Sequence, residues 1–248
     1  KIHIKQMKPT NQQIDLAAVF RWTARLNMHE SVVNHFSVCQ TNSSTSFYVN
    51  KSSIHFSRIK ASDLILVTTE NKKELKKHPE IIDSTAISIH GHIHEKVQHA
   101  KCILHVHSKY ATALSTLKDP TLYPIDQNSA MFYNRISYYN NYGGMGFDDE
   151  AIKMSLAIGN KKNMLLCNHG ILTTGQTIAE AFNSLYYFER AAETYLTALS
   201  TNKEINILSH EIAEKTAVEW ENYPNDLPEN HLKQIKLILD KEEPDYRD

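Results

Sequence analysis

Two histidines separated by one residue, His105 and His107, follow directly on the apolar run Cys102-Ile-Leu. Side chains alternate along a strand, so an extended chain here points both imidazoles to one side and Val106 to the other. Two imidazoles side by side at a strand end make half of a metal site. A second apolar run, Met164-Leu-Leu-Cys167, leads into Asn168-His169-Gly170, so another strand-like segment ends in a histidine. If the two strands are neighbours, three ring nitrogens converge and leave positions for water or substrate, which is the arrangement of a catalytic ion. The plainer reading of a His-x-His is two surface imidazoles satisfied by other partners.

The elements that must position these groups can be read on either side of them. Residues 11–26 have helical apolar spacing, with Ile14, Leu16, Ala17, Ala18, Phe20, Ala24 and Leu26 on the buried side. A turn at Ser31 feeds a strand ending near Val38, residues 41–46 form a polar loop, and Phe47-Tyr-Val49 pairs back. A helical turn over 59–64 precedes a strand over 64–67, and the lysine-rich stretch 70–80 reads as a solvated loop. Residues 84–97 form a helix whose face carries Ala86, Ile89, His90, Ile93, His94 and Val97. His90 and His94 stand at a ligand spacing, but on such a face packing and hydrogen bonding are the simpler roles.

Beyond the histidine pair, residues 111–117 are helical until Asp119-Pro120. Asp126, Gln127 and Asn128 form a polar patch in aromatic surroundings, suited to lining a pocket. Residues 138–144 read as an aromatic turn whose glycine pair lacks a phosphate-loop context. A helix over 148–158 leads to the strand before His169. Thr177-Ile-Ala-Glu180 is a capping box opening a long helix, whose Phe182, Leu185, Phe188 and Tyr195 are core. Helices over 210–220 and 229–239 and a polar tail, 242–248, complete the chain.

At 248 residues with 41% hydrophobic content, the chain can bury one substantial core. We therefore expect a single domain over 1–248 with a helical C-terminal arm from about residue 205. A net charge of −1 provides no field for a polyanion, which argues against nucleic acid as a partner. Apolar runs are too short for a membrane span. The opening Lys1-Ile-His-Ile-Lys-Gln lacks a secretory-leader pattern, so a cytoplasmic protein is expected, with Cys39, Cys102 and Cys167 as buried reduced thiols.

Three passages resemble the class II aldolase/adducin family: the first helix with Val33-Asn34-His35-Phe36-Ser37; His105-Val-His107-Ser108 with Ala111-Thr-Ala113; and Asn168-His169-Gly170 followed by Gly175 and Glu180-Ala181. The resemblance spans nearly the whole chain. It implies a three-layer α/β/α fold around a mainly antiparallel sheet and a divalent metal on His105, His107 and His169. Zinc is the first expectation, with manganese, iron or cobalt as alternatives. It also implies a homotetramer with sites between subunits, and a small-molecule substrate whose enediolate the metal stabilises.

The sequence departs from the aldolase pattern at Asp83-Ser-Thr-Ala86. Aldolases carry a glutamate where Ala86 stands, and Ala86 cannot move a proton. The same segment, with Asn34 and the loop at Ser52-Ser53, is where the family holds substrate phosphate. Asn34, Ser84 and Thr85 retain polar donors, while a glycine expected near Ser53 is missing. The aldolase tyrosine has no match, and Asp126, Gln127 and Asn128 occupy the comparable region. Losing a positioned base costs roughly two to four orders of magnitude in aldol cleavage, whereas decarboxylation of a keto acid needs none. The expectation is a metal-dependent carbon–carbon lyase, aldolase- or decarboxylase-like, acting on a small hydroxy or keto acid or a sugar-derived compound. Glu95, Asp126 and Tyr246 are its candidate acid/base groups, and Asn34, Ser84, Thr85, Gln127 and Asn128 would bind substrate. The competing expectation is a silent oligomeric module like the adducin head.

Overall fold

A computed structural model of the chain describes residues 8–144 and 148–248. Its helices are α1 (Asn11–Arg25), α2 (Lys72–Leu75), α3 (Ser84–Lys96), α4 (Lys109–Ser115), α5 (Gln127–Ala130), α6 (Asp148–Ala157), α7 (Ile178–Ser200), α8 (His210–Glu221) and α9 (Leu227–Glu242). Its strands are β1 (His35–Cys39), β2 (Phe47–Asn50), β3 (Leu64–Val67), β4 (Cys102–Val106), β5 (Ile136–Tyr139), β6 (Asn163–Leu166) and β7 (Gly170–Gly175). The opening residues used above to judge a leader lie outside the described residues.

The strands form one sheet in the order β3-β2-β1-β4-β7-β6-β5. Every pairing is antiparallel except β5 with β6. Period-two alternation sorts the side chains into two cores. Phe36, Val38, Cys102, Leu104, Val106 and Ile171 meet α1, α4, α7 and α9 on one face. On the other, Ile103, Met164, Leu166 and Leu172 meet α3 and α6, and Phe47, Val49, Ile65 and Val67 meet Leu75, Ala86 and Ile87. The result is the expected α/β/α layering. By the same alternation His35, Ser37 and Cys39, and likewise His105 and His107, face the α3 side.

α1 starts where the capping chemistry dictates: the Thr10 hydroxyl accepts from Gln13 N, and the Gln13 side chain accepts from Thr10 N at 3.0 Å. Its buried Arg21 donates to the Ile59 carbonyl and pairs with Glu243 and Asp245. This pulls the C-terminal segment onto α1, so residues 242–248 are not a free polar tail. Pro244–Arg247 form a single 3-10 turn with Tyr246 fully buried. The lysine-rich stretch 70–80 likewise departs from a solvated loop, because α2 anchors it through buried Leu75. The aromatic turn read over 138–144 begins as the edge strand β5, paired with β6.

Candidate metal centre

β4 delivers His105, and His107 follows directly on its end with its ring on the same side. His169 arrives by a different route from the one expected: β6 is not β4's neighbour, because β7 lies between them. His169 sits in the tight turn joining β6 to β7, with its amide on the Leu166 carbonyl at 3.0 Å and Asn168 before it at φ 60°. Gly170 makes the approach possible. A Cβ there would stand 2.6 Å from the Val106 carbonyl oxygen and 3.0 Å from the His107 ring, so only glycine lets the turn close against the end of β4.

The three rings form a nearly equilateral triangle, with centroids 5.0 Å (His105–His107), 4.9 Å (His105–His169) and 4.8 Å (His107–His169) apart. One nitrogen from each lies within 4.8 Å of the others. Outer partners fix the tautomers. His105 Nδ1 is 3.0 Å from the Ile171 carbonyl oxygen, and His107 Nδ1 is 2.5 Å from Glu30 Oε2. A carbonyl or a carboxylate can only accept, so each Nδ1 carries a proton, and in the neutral ring each Nε2 presents a lone pair. Those two Nε2 atoms face each other at 3.2 Å. Two neutral rings so held cannot donate to each other, and the spacing is close to the roughly 3.3 Å that separates two nitrogens on a tetrahedral zinc.

Burial keeps His105 and His169 neutral. It pushes His105 well below the ordinary imidazole range and His169 down to about 4, with neighbouring imidazoles adding to both shifts. Neutral imidazole is the form that binds metal. His169 Nδ1 is buried with no hydrogen-bond partner, and a bound cation would satisfy such an atom. The donor set therefore fits a divalent ion.

A second histidine series backs the first. His35 pairs with His105 in the β1–β4 register, and their rings are 5.1 Å apart. His94 Nδ1 donates to the Ala100 carbonyl at 2.7 Å, so its Nε2 accepts from the Ser37 hydroxyl at 2.8 Å. His90 Nδ1 then donates to Ser37 Oγ, and His35 Nδ1 donates to His90 Nε2 at 2.7 Å. One chain of bonds, all oriented the same way, thus runs from His35 to the start of β4. Burial lowers His35, His90 and His94, the last to about 4. His90 and His94 serve as buried hydrogen-bonding groups, the simpler of the two roles their spacing allowed.

Asn34 lies beside the cluster, its Oδ1 accepting from Glu30 N at 2.7 Å. With His35, Asn50, Ser52, Asp83 and Ala86 it lines a cavity of about 270 Å³. Ser84 and Thr85 are not among the lining residues. Thr85 turns both its amide and its hydroxyl to Asp83 Oδ1, at 2.8 and 2.7 Å.

The remaining candidates stand apart from the histidines in this chain. Glu95 pairs with Lys72 at 3.3 Å. Asp126 caps α5 by accepting from the amide and hydroxyl of Ser129, and it shares with Gln127 a cleft of about 720 Å³ against Trp220 of α8. Asn128 sits beside them in α5. Tyr246 is fully buried and donates to Asp240 at 2.7 Å. Glu30 was missed. It lies 77 positions from His107 with no motif around it, and only the pairing of β1 with β4 brings it near.

Residues 14–196 match the family model described as "Class II Aldolase and Adducin N-terminal domain". A Pseudomonas aeruginosa protein whose name places it in aldolase class 2 is 30% identical over 193 residues, 78% of this chain and 73% of its own. The crystal structure of an aldolase II superfamily protein from Pseudomonas syringae superimposes with a TM-score of 0.85 at 26% identity, covering 99% of this chain and 98% of that one. An L-fuculose 1-phosphate aldolase from Glaciozyma antarctica shares the fold, with a TM-score of 0.80 at 23% identity over 96% of this chain and 92% of its own. The chain belongs to the class II aldolase and adducin family.

Proposed function

We propose that the protein is a divalent-metal-dependent carbon–carbon lyase, aldolase- or decarboxylase-like, acting on a small hydroxy or keto acid or a sugar-derived substrate. The observation that carries this reading is the 3.2 Å approach of the Nε2 atoms of His105 and His107, each ring held through Nδ1 by an outer acceptor, with His169 as the third member. Two facing lone pairs repel unless a cation lies between them.

His105, His107 and His169 would hold the ion, with zinc first and manganese, iron or cobalt as alternatives. Bound there, a divalent ion supplies Lewis acidity that stabilises the negative charge of an enediolate. Glu30 holds the His107 proton on Nδ1 and so keeps Nε2 free. The chain through His90, Ser37 and His94 fixes the His35 ring beside the site. Ala86 supplies no proton acceptor, and Glu95, Asp126 and Tyr246 are engaged elsewhere in the protomer. This favours chemistry in which the leaving group takes the place of a base, as in decarboxylation.

A homotetramer in the cytoplasm belongs to the same reading. Ile152 and Leu156 of α6 are 45% and 72% exposed, as befits apolar residues awaiting a subunit neighbour. No described helix is long and apolar enough to cross a membrane. Ala86 also favours the alternative, a silent adducin-head-like module. Elemental analysis of protein purified without added metal separates the two. Near one equivalent of Zn, Mn, Fe or Co per chain supports the lyase, and less than about a tenth supports the module.

A further inference from the structure

We propose that the cavity beside the three histidines receives an uncharged, hydroxyl-bearing end of the substrate, and that Asp83 is the residue that excludes a phosphate ester. The inference rests on the metal-dependent lyase reading of the same site.

The cavity adjoins the cluster through His35, which lines it and lies 5.1 Å from the His105 ring. A phosphate group carries nearly two negative charges, and a pocket built for it supplies cations or a set of free donors. This one has no cation, and its unpartnered buried donors are Asn34 Nδ2 and Ser52 Oγ. Its lining comprises Val32, Pro79 and the polar groups of Asn34, Asn50, Ser52 and Asp83, among others, with no lysine or arginine. Lys51, next to the lining in sequence, turns away to Asp63 at 3.4 Å.

The N-terminus of α3 attracts anions, as any helix N-terminus does, but Asp83 already occupies it as the N-cap. Thr85, whose amide and hydroxyl would be natural phosphate donors, spends both on Asp83 Oδ1. Asp83 Oδ2 accepts no hydrogen bond among the described residues and is left for a donor. An incoming phosphate would meet that carboxylate, with the Glu30 carboxylate held nearby on His107.

Two further groups point to what the cavity does take. Asn34 is 2% exposed, and its Nδ2 is buried without a partner; Ser52 Oγ is in the same state. A donor buried without a partner forfeits the bond it makes with water in the unfolded chain. A ligand hydroxyl answers both needs, since its oxygen accepts from Asn34 Nδ2 or Ser52 Oγ while its proton goes to Asp83 Oδ2. A phosphate dianion can accept but has no proton to give the carboxylate.

The probes are D-erythronohydroxamate, which chelates a metal at one end and extends hydroxyls from it, and its 4-phosphate. Calorimetric titration of the zinc-loaded protein at low ionic strength should show the phosphate ester binding at least tenfold more weakly. Asp83→Asn keeps a good N-cap while removing the charge. It should narrow the gap about tenfold, chiefly by improving the phosphate ester. Ser52→Ala should weaken the unphosphorylated compound several-fold. Tighter binding of the ester to the unmodified protein, or a gap that Asp83→Asn leaves unchanged, overturns this assignment and leaves the lyase reading standing. Failure of both compounds to bind zinc-loaded protein overturns both.

Discussion

Glu30 and His107, 77 positions apart in the chain, meet at 2.5 Å, the carboxylate accepting from the ring Nδ1. The contact holds a proton on His107 Nδ1 and aims its Nε2 at His105. Glu30→Gln keeps the size but removes the charge. Zinc affinity, measured by competition with a chromophoric chelator, should fall roughly ten- to a hundredfold. Since Glu30 is exposed, the thermal midpoint of metal-free protein should barely move. An unchanged affinity would mean that Glu30 does not support a ligand.

The identity of the ligands can be tested against an internal control. His92 lies on α3 and makes a 2.8 Å bond from Nδ1 to the Ser88 carbonyl, outside the cluster. His107→Ala should lower the metal content of purified protein at least several-fold, and His92→Ala should leave it within experimental error. Equal losses from the two variants would show that the wrong histidines had been chosen.

The sequence carried the histidine pair plainly, because an apolar run ending in His-x-His fixes both rings to one side whatever the surroundings. It carried the β/α order nearly as well. It did not show β7, the strand that decides the geometry: Gly170-Ile-Leu-Thr-Thr-Gly175 has glycines at both ends and two threonines, so it lacks the run of apolar residues that marks a buried strand. Thr173 and Thr174 are nevertheless fully buried, their hydroxyls satisfied by the Ala181 and Lys162 carbonyls, partners that exist only after folding. Glu30 and the bonds joining His35 to His94 are equally nonlocal. The docking of the C-terminal segment was hidden too, because it depends on Arg21, more than 200 positions away.

Ala86 is 1% exposed and lines the cavity that His35 shares. Glutamate at this position should reach toward the cluster and add a carboxylate ligand, tightening zinc binding at least tenfold in the chelator competition. Without metal, the buried carboxylate should destabilise the protein by about 1–3 kcal/mol in urea unfolding. Unchanged zinc affinity would mean that the segment does not face the ion.

Acid should unfold the protein through its buried imidazoles. Burial holds His94 at about 4 in the folded chain, against an ordinary value of 6.5. Between those values the unfolded chain binds more protons, so stability rises with pH and is fully present above about 6.5. It is lost as pH falls from there toward 4, by about 3 kcal/mol for this group alone. His90 shifts in the same direction for the same reason. Urea midpoints measured from pH 7.5 to 4.5 should fall steeply below 6.5, and a flat profile would show that these rings are charged in the folded state.

α4 begins two residues after His107, and its N-terminus is held by a buried carboxylate from α7. Glu189 accepts from the Ser108 hydroxyl at 2.6 Å and from the amides of Tyr110 and Ala111 at 2.8 and 3.0 Å. Three charge-assisted bonds on the first turn of a helix satisfy donors that would otherwise be orphaned, and the carboxylate also meets the positive end of the helix dipole. Glu189→Ala strands all three donors in a buried setting and should cost about 2–4 kcal/mol. Glu189→Gln retains an acceptor and should cost less than half of that. Because Ser108 follows His107 directly, loosening this cap should also release the ring: zinc affinity should fall in Glu189→Ala and recover most of the way in Glu189→Gln. Urea unfolding of the metal-free variants, set beside chelator competition, separates the two effects. A loss of stability with unaltered zinc affinity would show that α4 supports the fold without positioning the ligand.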